Sequence, residues 1–575
     1  MKKLLIFLVL AGLSGPAPVR AQQYGWQWAA RYGGVYRFFM GAVIPSATAL
    51  ATTVTPDGGL AVCGAYSGPL TFENPTQTFA AASNTTNGYV TKYSATGTRL
   101  WSSALVSGGF NEDEATQVGT DGLGRVYVSG TYDANVIALP NPTQLSGPGT
   151  YLARYDGTLG TPLTLRKILT GLEPLTAMRV NSAGEVFLAG QAGGANQLVG
   201  YPVTTVAGRP LTPYVAKQDP VTGAVLWASS LLPGANSSAQ ITDMAVSFTG
   251  EVLISGTFRG VVSFGSSAGL FSYDQNNQPK NSAFLVRYDA NSGAVRDAQE
   301  MPLAFRLLTT AAGKVLIVGN PSASFLLNST NVVVAPGTGL SERDIFIGEL
   351  NGSLGLSQVL FSGGGPGAQS ILDAAINPVT GSVVLQLSYS STPQIGTLTF
   401  EPATSTFSPT ALVQFTPTGV PQRTLPVTSP VSAYAFNSTR VAVSATDDPF
   451  LVIPVATAGS QFGSLPRVDL LYPGGVTLAV AKAGLLLGTA PAAGRAAPLG
   501  LFPNPARESV TLTASGSVGG TVHLIDALGR TCWQGTTGSD ARISIPVAAL
   551  APGLYVVRVT RPDGRSVSQR LTVGP

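Results

Sequence analysis

The chain has 575 residues, of which 11% are charged and 44% hydrophobic, with 68 glycines and 41 prolines. That length exceeds what one hydrophobic core supports, so several domains or a repeat architecture are expected, and a charge-poor, Gly- and Pro-rich composition points to turn-dense all-β structure, not disorder. The formal charge of +4 comes mainly from Lys2, Lys3 and Arg20 and from the arginines after Pro498. The body between them is nearly neutral, which excludes an electrostatic footprint for nucleic acid or an anionic membrane.

Lys2 and Lys3 precede the apolar run Leu4 to Leu13, and Val19-Arg20-Ala21 forms a small-x-Ala cleavage site. This pattern predicts a secretory signal peptide over residues 1–21. The run is too short to span a bilayer, and Lys482 interrupts the nearest later candidate, Val476 to Leu487. No transmembrane segment is therefore expected in the mature chain.

Internal repetition decides the fold of residues 22–488. A short strand follows a glycine turn at Gly58 to Gly64 and recurs at Gly124 to Gly130, Gly184 to Gly190, Gly250 to Gly256 and Gly313 to Gly319, with degenerate copies at Gly381 to Leu387 and Thr439 to Ala445. A second element keeps phase with it, as in Gly88 to Tyr93, Thr150 to Tyr155 and Ala283 to Tyr288, and a Trp-bearing strand follows at Arg99 to Trp101 and Ala224 to Trp227. A period of about 63 residues holding about four strands matches one blade of a propeller, which closes into a ring and so removes free edges. Seven copies predict seven blades. The last copy lacks a Trp-type final strand, and an orphan of that type, Trp26 to Gly34, precedes the first. The segment 26–32 is expected to close the last blade.

The pattern around Gly108-Gly109, Asp121 and Gly124 to Gly130, followed by Tyr-x-x-Lys/Arg-Tyr, resembles the beta-propeller repeat common in secreted Bacteroidetes proteins. That resemblance implies a fold and no reaction.

Residues 489–498 (TAPAAGRAAP) form an Ala/Pro linker without apolar periodicity. Beyond it, alternating runs at Ser509 to Thr513, Val522 to Asp526, Arg542 to Ile545, Leu554 to Thr560 and Ser566 to Val573 predict a small Ig-like β-sandwich over 499–575, with turns at Leu528 to Arg530, Pro552-Gly553 and Pro562 to Gly564. Phe502-Pro503-Asn504-Pro505-Ala506, Val522 to Asp526 running into Gly529-Arg530, Leu550 to Val557 and Arg570 to Val573 resemble, in order, the type A C-terminal sorting domain of the type IX secretion system of Bacteroidetes. The resemblance implies passage through the outer membrane and recognition of 499–575 by the translocon. It also implies removal of the tail by the system's sortase, with the cargo anchored at the cell surface or released.

His523 is the sole histidine and lies in the tail, so serine–histidine and cysteine–histidine catalysis and histidine-rich metal sites are excluded from the repeats. Glycosidase chemistry needs only carboxylates, which directs attention to acidic residues. Glu112-Asp113-Glu114 is the densest group and reads as a solvated interblade loop, with calcium as the less favoured reading. Asp243 and Asp373 recur at similar positions in their repeats and read as turn or cap residues. Asp219 to Trp227 resembles one tryptophan-docking repeat of quinoprotein dehydrogenases, although packing between blades accounts for it without a cofactor. Tyr36 to Phe39 and Asp274 to Gln278 are the loop segments best suited to a polysaccharide or protein ligand. Cys63 and Cys532 lie in different domains and are expected to stay unpaired. No catalytic, cofactor-binding or metal-ligating residue is assigned. The expectation is a non-catalytic propeller with a binding or scaffold role, secreted or held on the outer cell surface; the alternatives are an extracellular carbohydrate-active enzyme using loop carboxylates and a purely structural envelope protein.

Overall fold

The structure, a computed structural model, describes residues 24–486 and 499–574 apart from short interior stretches, the longest being 81–85, 108–112, 333–343, 403–408 and 429–438. The expected signal peptide, the Ala/Pro linker, Glu112, Gly108-Gly109 and Tyr36 lie outside the described residues. Among those described, the chain is all-β with no helix. Tyr24–Leu486 forms one compact unit, and the described residues 499–574 belong to another.

The larger unit is built from four-stranded antiparallel sets. The first contains Ala47–Val54, Leu60–Ser67, Thr86–Tyr93 and Arg99–Ser107, each hydrogen-bonded to the next. Further sets begin at Glu114–Thr120, Ala177–Val180, Ser238–Val246, Arg306–Thr309, Gln369–Ile376 and Arg440–Val443. These leading strands touch one another in chain order, and the last touches Ala47–Val54 again. They form a closed inner ring.

Each set buries both faces. Along Leu60–Ser67 every residue is buried, because alternate side chains serve different neighbours. Leu60 and Val62 enter a core shared with Phe450, Val452 and Leu478 of the set that ends the ring. Ala61 and Cys63 enter one shared with Val126 and Val128 of the following set. The same arrangement carries around the ring.

The final set borrows its outer strand from the chain start. Tyr24–Val35 pairs antiparallel with Gly475–Leu485 from Tyr24↔Leu485 to Val35↔Gly475. Trp26 packs edge-on against Phe462 with ring centroids 5.2 Å apart, and Tyr32 donates or accepts a 2.8 Å hydroxyl bond with Tyr89 in the first set. The indole N–H of Trp28 donates to the Ala95 carbonyl at 3.0 Å. Trp101 and Trp227 do the same to Gly157 and Ala290, one set further on in each case. Gly97, at φ 87°, must be glycine here, since a Cβ would lie 2.6 Å from the Trp28 ring. The closing strand therefore docks on the first set as the other Trp-bearing strands dock on theirs.

The turn before each second strand uses one geometry. Gly58, Gly124, Gly184, Gly250, Gly313 and Gly381 all have positive φ, where glycine is unstrained. The seventh turn differs from the sequence expectation, which placed the seventh copy at Thr439 to Ala445. Arg440–Val443 within that segment is the leading strand, and the equivalent second strand is Pro449–Pro454. The residue in the glycine position is Asp447 at φ 62°. An aspartate tolerates that region better than most side chains, and its carboxylate accepts from Asn377 Nδ2 and Thr380 Oγ1, both at 2.7 Å.

In the C-terminal unit, one sheet comprises Gly500–Phe502, Ser509–Thr513 and Arg542–Pro546, and the other comprises Thr531–Thr536, Thr521–Ile525, Gly553–Thr560 and Ser566–Val573. Val510 and Leu512 of the first sheet and Val522, Leu524, Val557 and Leu571 of the second share one core.

Candidate functional site

The inner ring encloses a cavity of about 980 Å³. A second cavity of about 770 Å³ lies toward the turns and shares Thr52, Thr53 and Arg179 with it. Residues from every leading strand line the first cavity, because the free edge of each set faces the axis.

Four of those strands carry a register shift, between Ala49 and Ala51, Ala115 and Gln117, Ile241 and Asp243, and Ile371 and Asp373. Each shift leaves one residue unpaired, Leu50, Thr116, Thr242 and Leu372, and in three cases the side chain of the next residue, back in register, joins neighbouring sets. Gln117 donates to the Thr176 carbonyl and accepts from the Met178 N–H, both at 3.3 Å. Asp243 accepts from Arg179 Nη2 at 2.7 Å on one side and from the Leu307 N–H at 2.9 Å on the other. Asp373 repeats this with Arg306 Nη1 at 2.8 Å and the Val441 N–H at 2.8 Å. Asp243 and Asp373 are therefore clamps between sets, and the turn or cap role expected for them is corrected. Their recurrence reflects a joint used twice.

Arg440 closes the ring. Its Nε donates to the Leu50 carbonyl at 2.5 Å and its Nη1 to the Thr439 carbonyl at 2.6 Å. Burial lowers its pKa from the ordinary guanidinium value; Asp373 opposes that and Arg306 adds to it. Sequence reasoning missed Arg179, Arg306 and Arg440. The available signal was an arginine upstream of the turn in the third, fifth and seventh copies, opposite the aspartates of the fourth and sixth.

Asp113 is buried and accepts the Asp133 N–H at 2.9 Å, so this part of the acidic cluster is a structural cap and not a solvated loop. No group of three or more potential metal ligands occurs among the described residues. Asp274 accepts the N–H groups of Asn276 and Gln278, both at 2.8 Å, so its carboxylate organises its own turn. Arg37–Phe39 pairs with Ala42–Ile44. Cys63 is buried and Cys532 exposed, both as free thiols.

In the tail, the motif Phe502 to Ala506 ties the first strand to the last. Asn504 Nδ2 donates to the Arg570 carbonyl at 3.0 Å, and its Oδ1 accepts the Thr572 N–H at 2.8 Å. Ala506 bridges Val573 in parallel.

Residues 500–573 match the family described as the secretion system C-terminal sorting domain. The match marks a protein sorted by the type IX secretion system, secreted or displayed at the cell surface, and implies interaction with that system. No helix among the described residues is long and apolar enough to cross a membrane. No curated protein matches the chain. Among solved structures, it is similar to an acylaminoacyl peptidase of Pyrococcus horikoshii at 10% identity and a TM-score of 0.37, covering 74% of this chain and 52% of that one. The chain thus spans about half the length of that peptidase. Sqt1 of Saccharomyces cerevisiae gives 7% identity and a TM-score of 0.31, over 94% of this chain and 100% of that one. The WD40 domain of SCAP from fission yeast gives 7% and 0.25, over 80% and 87%.

Proposed function

We propose that the larger unit is a closed seven-bladed β-propeller and the tail an Ig-like sandwich. The whole is then a non-catalytic binding or scaffold protein, delivered to the outer cell surface or beyond by the type IX system of a Bacteroidetes bacterium. The observation that carries this reading is the ring of leading strands around an axial cavity whose two carboxylates are both occupied. Asp243 and Asp373 each accept from an arginine and from a backbone N–H of the next set, so both oxygens of each carboxylate are engaged in joining the sets. The sorting domain supports the route of export, and removal of 499–575 by the sortase is part of the proposal.

Carbohydrate-active catalysis by these carboxylates is the competing reading. The protein as secreted from its own host should bind one or more polysaccharides in an array with saturating stoichiometry and release no new reducing ends. Turnover overturns the non-catalytic reading, and silence on both measures favours a purely structural role. Deleting 499–575 should retain the protein inside the cell; undiminished secretion of the deletion overturns the export route.

A further inference from the structure

We infer that the axial cavity takes a sugar acid, with its carboxylate seated at Arg440. This deepens the binding reading above and rests on it. The ionisable residues among those lining the cavity are Arg179, Asp243, Arg306, Asp373 and Arg440. Asp243 is matched by Arg179 and Asp373 by Arg306, at 2.7 and 2.8 Å. Arg440 donates only to the neutral carbonyls of Leu50 and Thr439; the Asp373 carboxylate acts on it electrostatically but is already matched by Arg306, so three arginines against two aspartates leave the lining one net positive charge. Its Nη2 makes no hydrogen bond among the described residues and remains for the cavity that Arg440 lines.

A guanidinium is always charged in a protein. When it is partly withdrawn from water, it favours an oxyanion over a neutral partner, and charge-assisted hydrogen bonds are about twice as strong as neutral ones. One net positive charge therefore selects one negative charge. The rest of the polar lining is neutral: Thr120 and Thr242 donate their hydroxyls to the Arg125 and Ser255 carbonyls and the Gln117 amide is held by Thr176 and Met178, while the hydroxyls of Thr52, Thr53 and Thr176 make no hydrogen bond among the described residues. Neutral donors and acceptors around a single cationic point suit a polyhydroxylated ligand bearing one carboxylate, and the volume of about 980 Å³ is that of a small-molecule site.

The test is calorimetric titration of the full chain with galacturonic acid oligomers, galactose oligomers, acetate and inorganic phosphate. The galacturonic acid oligomer should bind at least about tenfold more tightly than the other three, with affinity falling as salt rises. Leu50→Glu places a carboxylate beside Arg440 without removing a native bond and should weaken binding by about tenfold or more, whereas Leu50→Gln should leave it within about twofold. Equal binding of galactose oligomers, acetate or phosphate, or full affinity in a folded Leu50→Glu variant, overturns the inference. If Leu50→Glu fails to fold, salt-independent affinity in the native protein overturns it equally. Neutral glycans that bind regardless of Leu50→Glu, or silence toward all four probes, would sink this inference and leave the binding reading to the polysaccharide array.

Discussion

A strand of the ring and a strand of the tail differ in where their side chains go. Leu60–Ser67 is buried throughout, whereas Ser509–Thr513 and Thr521–Ile525 bury every second residue. The ring strand sits between two neighbouring sets and the tail strand between one neighbour and water. The two units also join their ends differently. The ring does so with a ladder that runs from Tyr24 to Val35, with one register shift between Trp26 and Trp28, and whose Trp26 and Tyr32 enter two cores; the tail uses one bridge and an exposed asparagine. The ring therefore has no local failure at its seam, while the tail has one.

The contrast can be broken most forcefully at the closing strand. Deleting residues 24–35 exposes both cores flanking the last set, and the ring should lose its cooperative thermal transition; a deletion that melts as the native chain does would refute closure by the termini. Asp447→Ala should come next, lowering ring stability in chemical unfolding by about 2–3 kcal/mol, from a strained positive φ and two lost hydrogen bonds. Asp447→Gly removes the strain and should lower it by about 1 kcal/mol.

In the tail, Asn504→Ala should cost about 1 kcal/mol and speed hydrogen exchange at the Thr572 amide, leaving the ring's unfolding midpoint unchanged. Acid should act more weakly and on the ring. At Asp57, burial favours the protonated form, but hydrogen bonds from Lys92, Thr55 and the Gly59 N–H outweigh it and hold the pKa below the ordinary value. At Glu185, burial is likewise outweighed by Lys217 and Asn181. Carboxylates with lowered folded pKa stabilise fully above their unfolded values, and that contribution disappears as pH falls below about 4. Because both side chains are substantially exposed, each contributes no more than about 1 kcal/mol. The double variant Asp57→Asn, Glu185→Gln should flatten the melting-temperature profile between about pH 4 and 2. The smallest perturbation is a thiol count. Burial raises the Cys63 pKa far above the usual thiol value, so a disulfide reagent should label Cys532 at once and Cys63 only on unfolding.

Much of the ring was legible because its turns demand a residue at positive φ and glycine supplies it six times. The six second strands after Gly58, Gly124, Gly184, Gly250, Gly313 and Gly381 lie where the repeat placed them. The seventh was misphased because Asp447 does the work of glycine, through partners in another set that a linear pattern does not reveal. The cavity was not legible for a related reason. Asp243, Asp373 and the three arginines acquire their roles from bulges and from strands about one repeat away, so each looks like an isolated polar residue. The tail's Asn504 was visible as part of a motif, but its purpose appears only when Thr572 is beside it.

The seam of the ring also sets a clock. Gln27 bonds to the carbonyl of Leu485, 458 residues downstream. At about 5–20 residues per second of synthesis, the first strand precedes its partner by roughly 20–90 s. Throughout that interval the ring lacks its last partner and its two flanking cores stay open. The locking strand is completed immediately before the sorting domain emerges, so a finished address is attached only to a chain whose cargo already has every strand needed to shut.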